Sequence, residues 1–308
     1  MEFDIEEQNE EKKLNYKRLI LVIAIVVAII ACIYIGIILP QLVKNKEKNN
    51  ENINTTETNT ERNEIDMETI VVPIDPVKTR EEEKPYPIIT SDGIDKIKGI
   101  YKSDYKRVFL TFDDGPSKTV TPQILTILDN YNVKATFFVL GSRVEIYPEI
   151  VKEEFDKGHY IGNHGYSHKY SYIYESVDNI INEYNGTENI IRNAIGKEDY
   201  YSNVFRFPGG SPGGKYAKIK SSAIPVLEQN NIAYLDWNCL TRDSEGSFTK
   251  EELIQNLIST AQNKESVVVL MHDAGNKQTT YEALPQVIEY FQNNGYVFEN
   301  LYNILDGQ

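Results

Sequence analysis

The chain has 308 residues, 41% of them hydrophobic, and a formal net charge of -14. That length and apolar content allow one sizeable core, while the acidic balance argues against a nucleic-acid partner, because phosphate binding needs clustered Lys and Arg. Only two cysteines occur, Cys32 and Cys239, too few for a disulfide framework or a Cys-ligated metal.

Residues 1–18 form a short tail, expected to be cytoplasmic. An uninterrupted apolar run without a charge follows at 19–39, closed by Pro40. As a helix it would span about 31 Å at about 1.5 Å per residue, enough for a bilayer core. An uncleaved transmembrane helix is preferred over a signal peptide, whose apolar region is about 7–15 residues long and ends in a small-residue cleavage site. Lys12, Lys13, Lys17 and Arg18 precede the run and Lys44, Lys46 and Lys48 follow it. The charge rule therefore favours an inside N-terminus only slightly. Residues 40–95, rich in Asn, Glu, Thr and Lys, are expected to be a flexible polar spacer.

The texture changes in residues 96–308, where short apolar runs alternate with amphipathic segments. Buried strands are expected at 108–112, 135–140, 160–162, 204–207, 232–235 and 266–271. Helical patterns lie between them, at 123–130, 147–157, 177–194, 219–229, 250–262 and 281–293. Thr121 followed by Pro122 reads as an N-cap with Pro at the first helical position. Such alternation predicts an α/β fold, a parallel sheet or β/α barrel, with its active site in the loops after the strands.

The chemistry-bearing residues sit at those strand ends. Asp113 and Asp114 close the first strand in Thr-Phe-Asp-Asp-Gly-Pro (111–116), where Gly115-Pro116 breaks the strand and lets both carboxylates face one site. An isolated Asp-Asp-Gly is more often an ordinary turn, but here a helical pattern follows in place of a second strand. His164 and His168, in His-Gly-Tyr-Ser-His, have the i, i+4 spacing that puts two imidazoles on one side of a helical turn. Two His and one carboxylate make a three-ligand site with an open position for water, as catalytic zinc uses. Arg206 ends another strand in Arg-Phe-Pro-Gly-Gly (206–210), whose glycines expose N–H groups suited to an oxyanion. His272 ends the strongly apolar 267–271 run; taken alone, it reads as a satisfied buried histidine.

Together these motifs resemble the NodB-homology polysaccharide deacetylases, carbohydrate esterase family four, over roughly residues 100 to 305. Thr-Phe-Asp-Asp-Gly is similar to the family's first motif, His-Gly-Tyr-Ser-His to its second, Arg-Phe-Pro-Gly-Gly to its third and Leu270-Met-His272 to its fifth. The fourth, usually Asp-x-x-Asp-Trp after an upstream Trp, aligns with the stretch from Trp237 to Ser244, and Asp243 matches its second Asp. The resemblance implies a distorted (β/α) barrel of NodB type with about seven strands. It also implies a metal-dependent hydrolase that removes acetyl groups from N-acetylated sugars. By that likeness Asp114, His164 and His168 bind a divalent metal, usually zinc, Asp113 is general base and His272 general acid. Arg206 would position Asp113, Asp243 would pair with His272, and the Gly209 N–H would help hold the oxyanion.

Three positions depart from the family pattern. Leu240 stands where the fourth motif's first Asp is expected, Ser244 where its Trp would wall the acetyl pocket, and Gly209 replaces the usual Tyr. Leu270 and Trp237 remain as candidate apolar walls. The expected function is deacetylation of cell-wall glycan, with N-acetylglucosamine of peptidoglycan as substrate, by a single-pass cell-membrane protein whose catalytic domain is extracytoplasmic. The alternatives are another acetylated polysaccharide, an O-acetyl ester, or glycan binding without catalysis.

Overall fold

The computed structural model describes residues 91–305, all within the second of the two units into which the chain divides, Lys78–Gln308. The expected tail, membrane helix at 19–39 and most of the spacer lie outside the described residues. Among the described residues no helix is long and apolar enough to cross a membrane.

In chain order the first elements are α1 (Ser91–Lys98), β1 (Arg107–Asp113), α2 (Val120–Asn130), β2 (Thr136–Val139), α3 (Gly141–Val144), α4 (Pro148–Asp156) and β3 (Tyr160–Asn163). Next come α5 (Tyr170–Ile173), α6 (Val177–Ile195), β4 (Val204–Phe205), α7 (Ala217–Gln229), β5 (Ala233–Tyr234) and β6 (Cys239–Leu240). The last are α8 (Lys250–Ala261), β7 (Ser266–His272), α9 (Gln278–Asn293), β8 (Val297–Glu299) and α10 (Leu301–Leu305).

The strands form one parallel sheet in the order β5-β4-β3-β2-β1-β7-β6, with β8 also paired to β1. Its curvature follows from chain length. β5 ends at Tyr234 and β6 begins at Cys239, a link that reaches about 18 Å when fully extended. Laid flat, the outer strands of such a seven-strand path would stand about 29 Å apart at about 4.8 Å per gap. The sheet therefore curls into an open half-barrel. The family resemblance implies a distorted barrel of about seven strands; the structure has seven on the main path and an eighth beside β1, and among the described residues no pairing joins β5 to β6.

Alternation sorts the strand side chains into two layers. Val108, Leu110 and Phe112 of β1 and Val267, Val269 and Met271 of β7 pack outward against Ile124 and Leu128 of α2 and Leu284 and Val287 of α9. Phe109 and Val268 point inward, where Ile94, Ile97, Ile100, Leu301 and Ile304 join them. Each such side chain, once fully buried, stabilises the fold by about 1.5–3 kcal/mol. Arg107 Nη2 and Ser266 Oγ, at the first residues of β1 and β7, both donate to the carbonyl of Ile100. The segment after α1 thus covers the end of the half-barrel opposite the strand C-termini.

Two sequence expectations need correction. Composition assigns residues 91–95 to the spacer, but α1 starts at Ser91 and buries Ile94; too few apolar residues precede it for periodicity to show. Thr121 is not an N-cap, because α2 begins at Val120. Ser117 Oγ accepts from the N–H groups of Val120 and Thr121 instead, at 3.1 and 3.2 Å. That frees the Thr121 hydroxyl for Asp273 Oδ2, 2.5 Å away.

Candidate active site and metal centre

The loops after β1, β3, β4, β6 and β7 converge on a cavity of about 360 Å³. It is lined by Asp113, Asp114, His164, His168, Gly209, Trp237, Asp243, Leu270 and His272, which are the sequence-predicted site residues apart from Arg206. Arg206 lies fully buried behind Asp113.

Asp113 is the last residue of β1, level with His272 across the β1–β7 pairing. Its Oδ1 accepts from Arg206 Nη1 at 2.8 Å. The guanidinium is held on every side: Nη1 also donates to Thr111 Oγ1 at 2.6 Å, Nε to the Leu235 carbonyl at 2.9 Å, and Nη2 to the Asp236 carbonyl at 3.2 Å. Its plane lies over the Phe138 ring at 4.0 Å, an arrangement lysine could not reproduce. Burial raises the Asp113 pKa, opposed by the charges of Arg206 and His272, so this carboxylate is a stronger proton acceptor than an exposed one.

Asp114 lies just past the end of β1. Its φ of +73 is left-handed, a conformation Asp tolerates at a cost of about 1 kcal/mol or more. Its Oδ1 stands 3.6 Å from His164 Nε2 and 3.4 Å from His168 Nε2, and one ligand atom from each of the three residues falls within 4.8 Å of the others. Three features fit a divalent cation. Asp114 Oδ1 is buried without a hydrogen-bond partner. His164 Nδ1 lies 2.8 Å from the Arg206 carbonyl, which can only accept, so the proton sits on Nδ1 and Nε2 presents a lone pair. Burial holds the His164 pKa down to about 3, leaving the ring neutral, as ligation requires.

The two histidines do not share a helical turn, as their spacing predicts. Gly165 has φ +79 and His168 has φ +54, and α5 starts only at Tyr170. They meet across a loop, ring centroids 5.4 Å apart. Glu183 of α6 fixes that loop, its Oε2 accepting from the N–H groups of Tyr166 and Ser167 at 2.5 and 2.7 Å and its Oε1 from Ser167 Oγ at 2.6 Å.

On the neighbouring strand β7, His272 Nδ1 lies 2.8 Å from Asp243 Oδ1. Asp243 Oδ2 accepts from the His272 N–H and from Thr280 Oγ1, each at 2.8 Å. Burial opposes charge on both partners. On His272 that effect is outweighed by the hydrogen bond and charge of Asp243, with Asp113 and Asp114 adding to them, and the pKa rises to about 9. On Asp243, burial is outweighed by the bonds to His272 and Thr280, and the pKa falls. The third-motif loop is pinned as firmly. Tyr174 O–H donates to the Pro208 carbonyl at 2.6 Å, Lys220 Nζ to the Gly210 carbonyl at 2.5 Å, and Ser211 N–H to Asp236 Oδ1 at 2.8 Å.

Residues 101–231 match the polysaccharide deacetylase family. A peptidoglycan-N-acetylglucosamine deacetylase of Bacillus cereus is 34% identical over 200 residues, covering 63% of this chain and 68% of that protein. The chain belongs to the polysaccharide deacetylase family. A Listeria monocytogenes peptidoglycan-N-acetylglucosamine deacetylase is 33% identical over 63% of this chain, which spans 37% of that longer protein. Among solved structures, a carbohydrate esterase family four enzyme of Streptococcus mutans superposes with TM-score 0.61 at 30% identity, over 67% of this chain and 90% of the other. The catalytic domain of a peptidoglycan N-acetylglucosamine deacetylase from Eubacterium rectale does so with TM-score 0.59 at 34% identity, over 65% and 90%.

In this polysaccharide deacetylase the departures from the family pattern also lie in the cavity wall, where Leu240 and Ser244 join Leu270 and Trp237. Sequence reasoning missed Thr111, Glu183 and Thr280, hydroxyl and carboxylate partners that mark no motif. It also missed Tyr170, one of 21 tyrosines, which lines the cavity beside His168.

Proposed function

We propose that this family member is a metal-dependent N-deacetylase of peptidoglycan N-acetylglucosamine. The observation that carries the reading is the pairing of Asp114, His164 and His168 with two separately anchored groups suited to proton transfer, Asp113 and His272, in one cavity. Asp114, His164 and His168 would hold the ion, zinc by family likeness, and when bound it supplies Lewis-acid polarisation of the acyl oxygen and of water.

The protein's own groups divide the proton work. Arg206 keeps Asp113 Oδ1 occupied, leaving Oδ2, which lies 3.8 Å from His164 Nε2, to take the proton of an attacking water. The Gly209 N–H makes no hydrogen bond among the described residues, and its pinned loop presents it to the oxygen that gains charge. His272, kept protonated by Asp243, gives its proton to the nitrogen as the carbon–nitrogen bond breaks, so acetate and a free amine leave. Leu270 and Trp237 shelter the acetyl methyl.

The names of the Bacillus and Listeria relatives support a cell-wall substrate. The apolar run at 19–39 supports a single-pass membrane anchor, and a cell-wall substrate puts the catalytic domain outside the cell, testable by protease treatment of intact cells. The activity test is mass spectrometry of wall-glycan fragments before and after treatment with the full chain and zinc. Loss of acetyl from N-acetylglucosamine is expected; unchanged amides alongside cleaved O-acetyl esters would overturn the reading in favour of an esterase, for which the altered wall at Leu240 and Ser244 is the motive.

A further inference from the structure

A side chain at position 209 would displace the Tyr170 hydroxyl. A Cβ built on Gly209 would lie 2.7 Å from the Tyr170 hydroxyl and 3.3 Å from its Cζ, and φ there is +75. The family's third motif usually has a tyrosine at this position. Here Tyr170, arriving from the start of α5, puts a phenol in the space that side chain would leave through.

Tyr170 is held by its ring, which packs against Tyr174, Tyr216 and His168 with centroids 5.7, 6.4 and 5.3 Å away. Its hydroxyl has no hydrogen-bond partner among the described residues, and the residue lines the same cavity as Asp113, Asp114 and Gly209. From its contact with the Cβ position, that hydroxyl lies no more than about 5 Å from the Gly209 nitrogen by standard bond lengths. Two donors at that separation can share one acceptor oxygen, each at about 2.8 Å.

Building on the deacetylase reading above, we propose that Tyr170 contacts the substrate and is a second oxyanion donor. Its hydroxyl and the Gly209 N–H together bind the acyl oxygen, and Gly209 is glycine so that the phenol can reach it. A hydrogen bond strengthened as charge develops on that oxygen acts on kcat.

The test compares wild type with Tyr170→Phe, which removes one oxygen and leaves the ring packing, in the zinc-loaded full chain. Two quantities are read: deacetylation kinetics on wall glycan, and acetate binding by calorimetry. Expected for Phe are a kcat lowered about tenfold to a hundredfold with KM nearly unchanged, and acetate bound about fivefold to tenfold more weakly. Unchanged kcat with unchanged acetate binding overturns the proposal. So does a rise in KM alone, which would place the hydroxyl on the sugar ring. If wild type releases no acetate from glycan yet Phe still weakens acetate binding, the glycan reading fails and the donor role stands. If neither signal appears, both fail.

Discussion

Arg206 serves His164 and Asp113 from opposite ends of one residue: its carbonyl accepts from His164 Nδ1 at 2.8 Å while its guanidinium donates to Asp113 at 2.8 Å. The main chain orients a proposed metal ligand and the side chain anchors the proposed base. Replacing the side chain separates the two duties. Arg206→Met should keep stoichiometric zinc while activity falls at least about a hundredfold. It should also lose about 3–5 kcal/mol of stability, because a buried carboxylate is left without its partner. Metal content per chain and urea unfolding check both halves; loss of zinc would show that the carbonyl alone does not orient His164.

Asp113 and Asp114, adjacent in sequence, should fail in different ways. Asp113→Asn is expected to retain metal and lose about 10²–10⁴ in kcat, the range for a removed general base. Asp114→Ala should lose the metal itself. Chelation followed by zinc add-back restores wild type and not Asp114→Ala, as read by atomic absorption beside acetate release.

His272 sets the alkaline limb. Its folded pKa of about 9 lies above the ordinary 6.5. Its protonated form therefore contributes fully to stability below about 6.5, and that contribution fades as pH rises through about 9. With His272 as the proposed acid, activity should fall through the same window. Asp243→Asn removes the partner that raises this pKa, so the limb should move to lower pH. A pH–kcat profile with the limb unmoved in Asp243→Asn would falsify the pairing.

Glu183 does not line the cavity, yet it holds the loop that delivers His168. Glu183→Leu removes the acceptor of both N–H groups and of the Ser167 hydroxyl. Zinc affinity should fall about tenfold to a hundredfold, measured by competition with a chromophoric chelator, while far-UV circular dichroism stays as in wild type.

Asp113, Asp114, His164 and His168, which the structure brings to one cavity, are legible in sequence because carboxylates and imidazoles at strand ends are scarce and chemically specific, whereas His272 taken alone reads as a satisfied buried histidine. Local geometry was less so: the spacing of His164 and His168 suggests a helical turn, whereas positive φ at Gly165 and His168 folds a loop. Thr111, Glu183 and Thr280 are invisible because their roles depend on which loops meet, a matter of tertiary packing. The same holds for β6 and β8, two and three residues long, too short to carry a period. The long buried runs of β1 and β7 stand out, since being covered on both faces demands near-continuous apolar residues.

The link from Tyr234 to Cys239 that draws the sheet round also carries Trp237, which faces the cavity, and Asp236, which holds Ser211. A residue added there would slacken the curl and move the third-motif loop away from the metal ligands in one step. An exchange at Trp237 changes the pocket wall and leaves the length of the link as it is. Substrate preference in this scaffold can therefore drift through the chemistry of that segment, while its length stays locked to the width of the cleft.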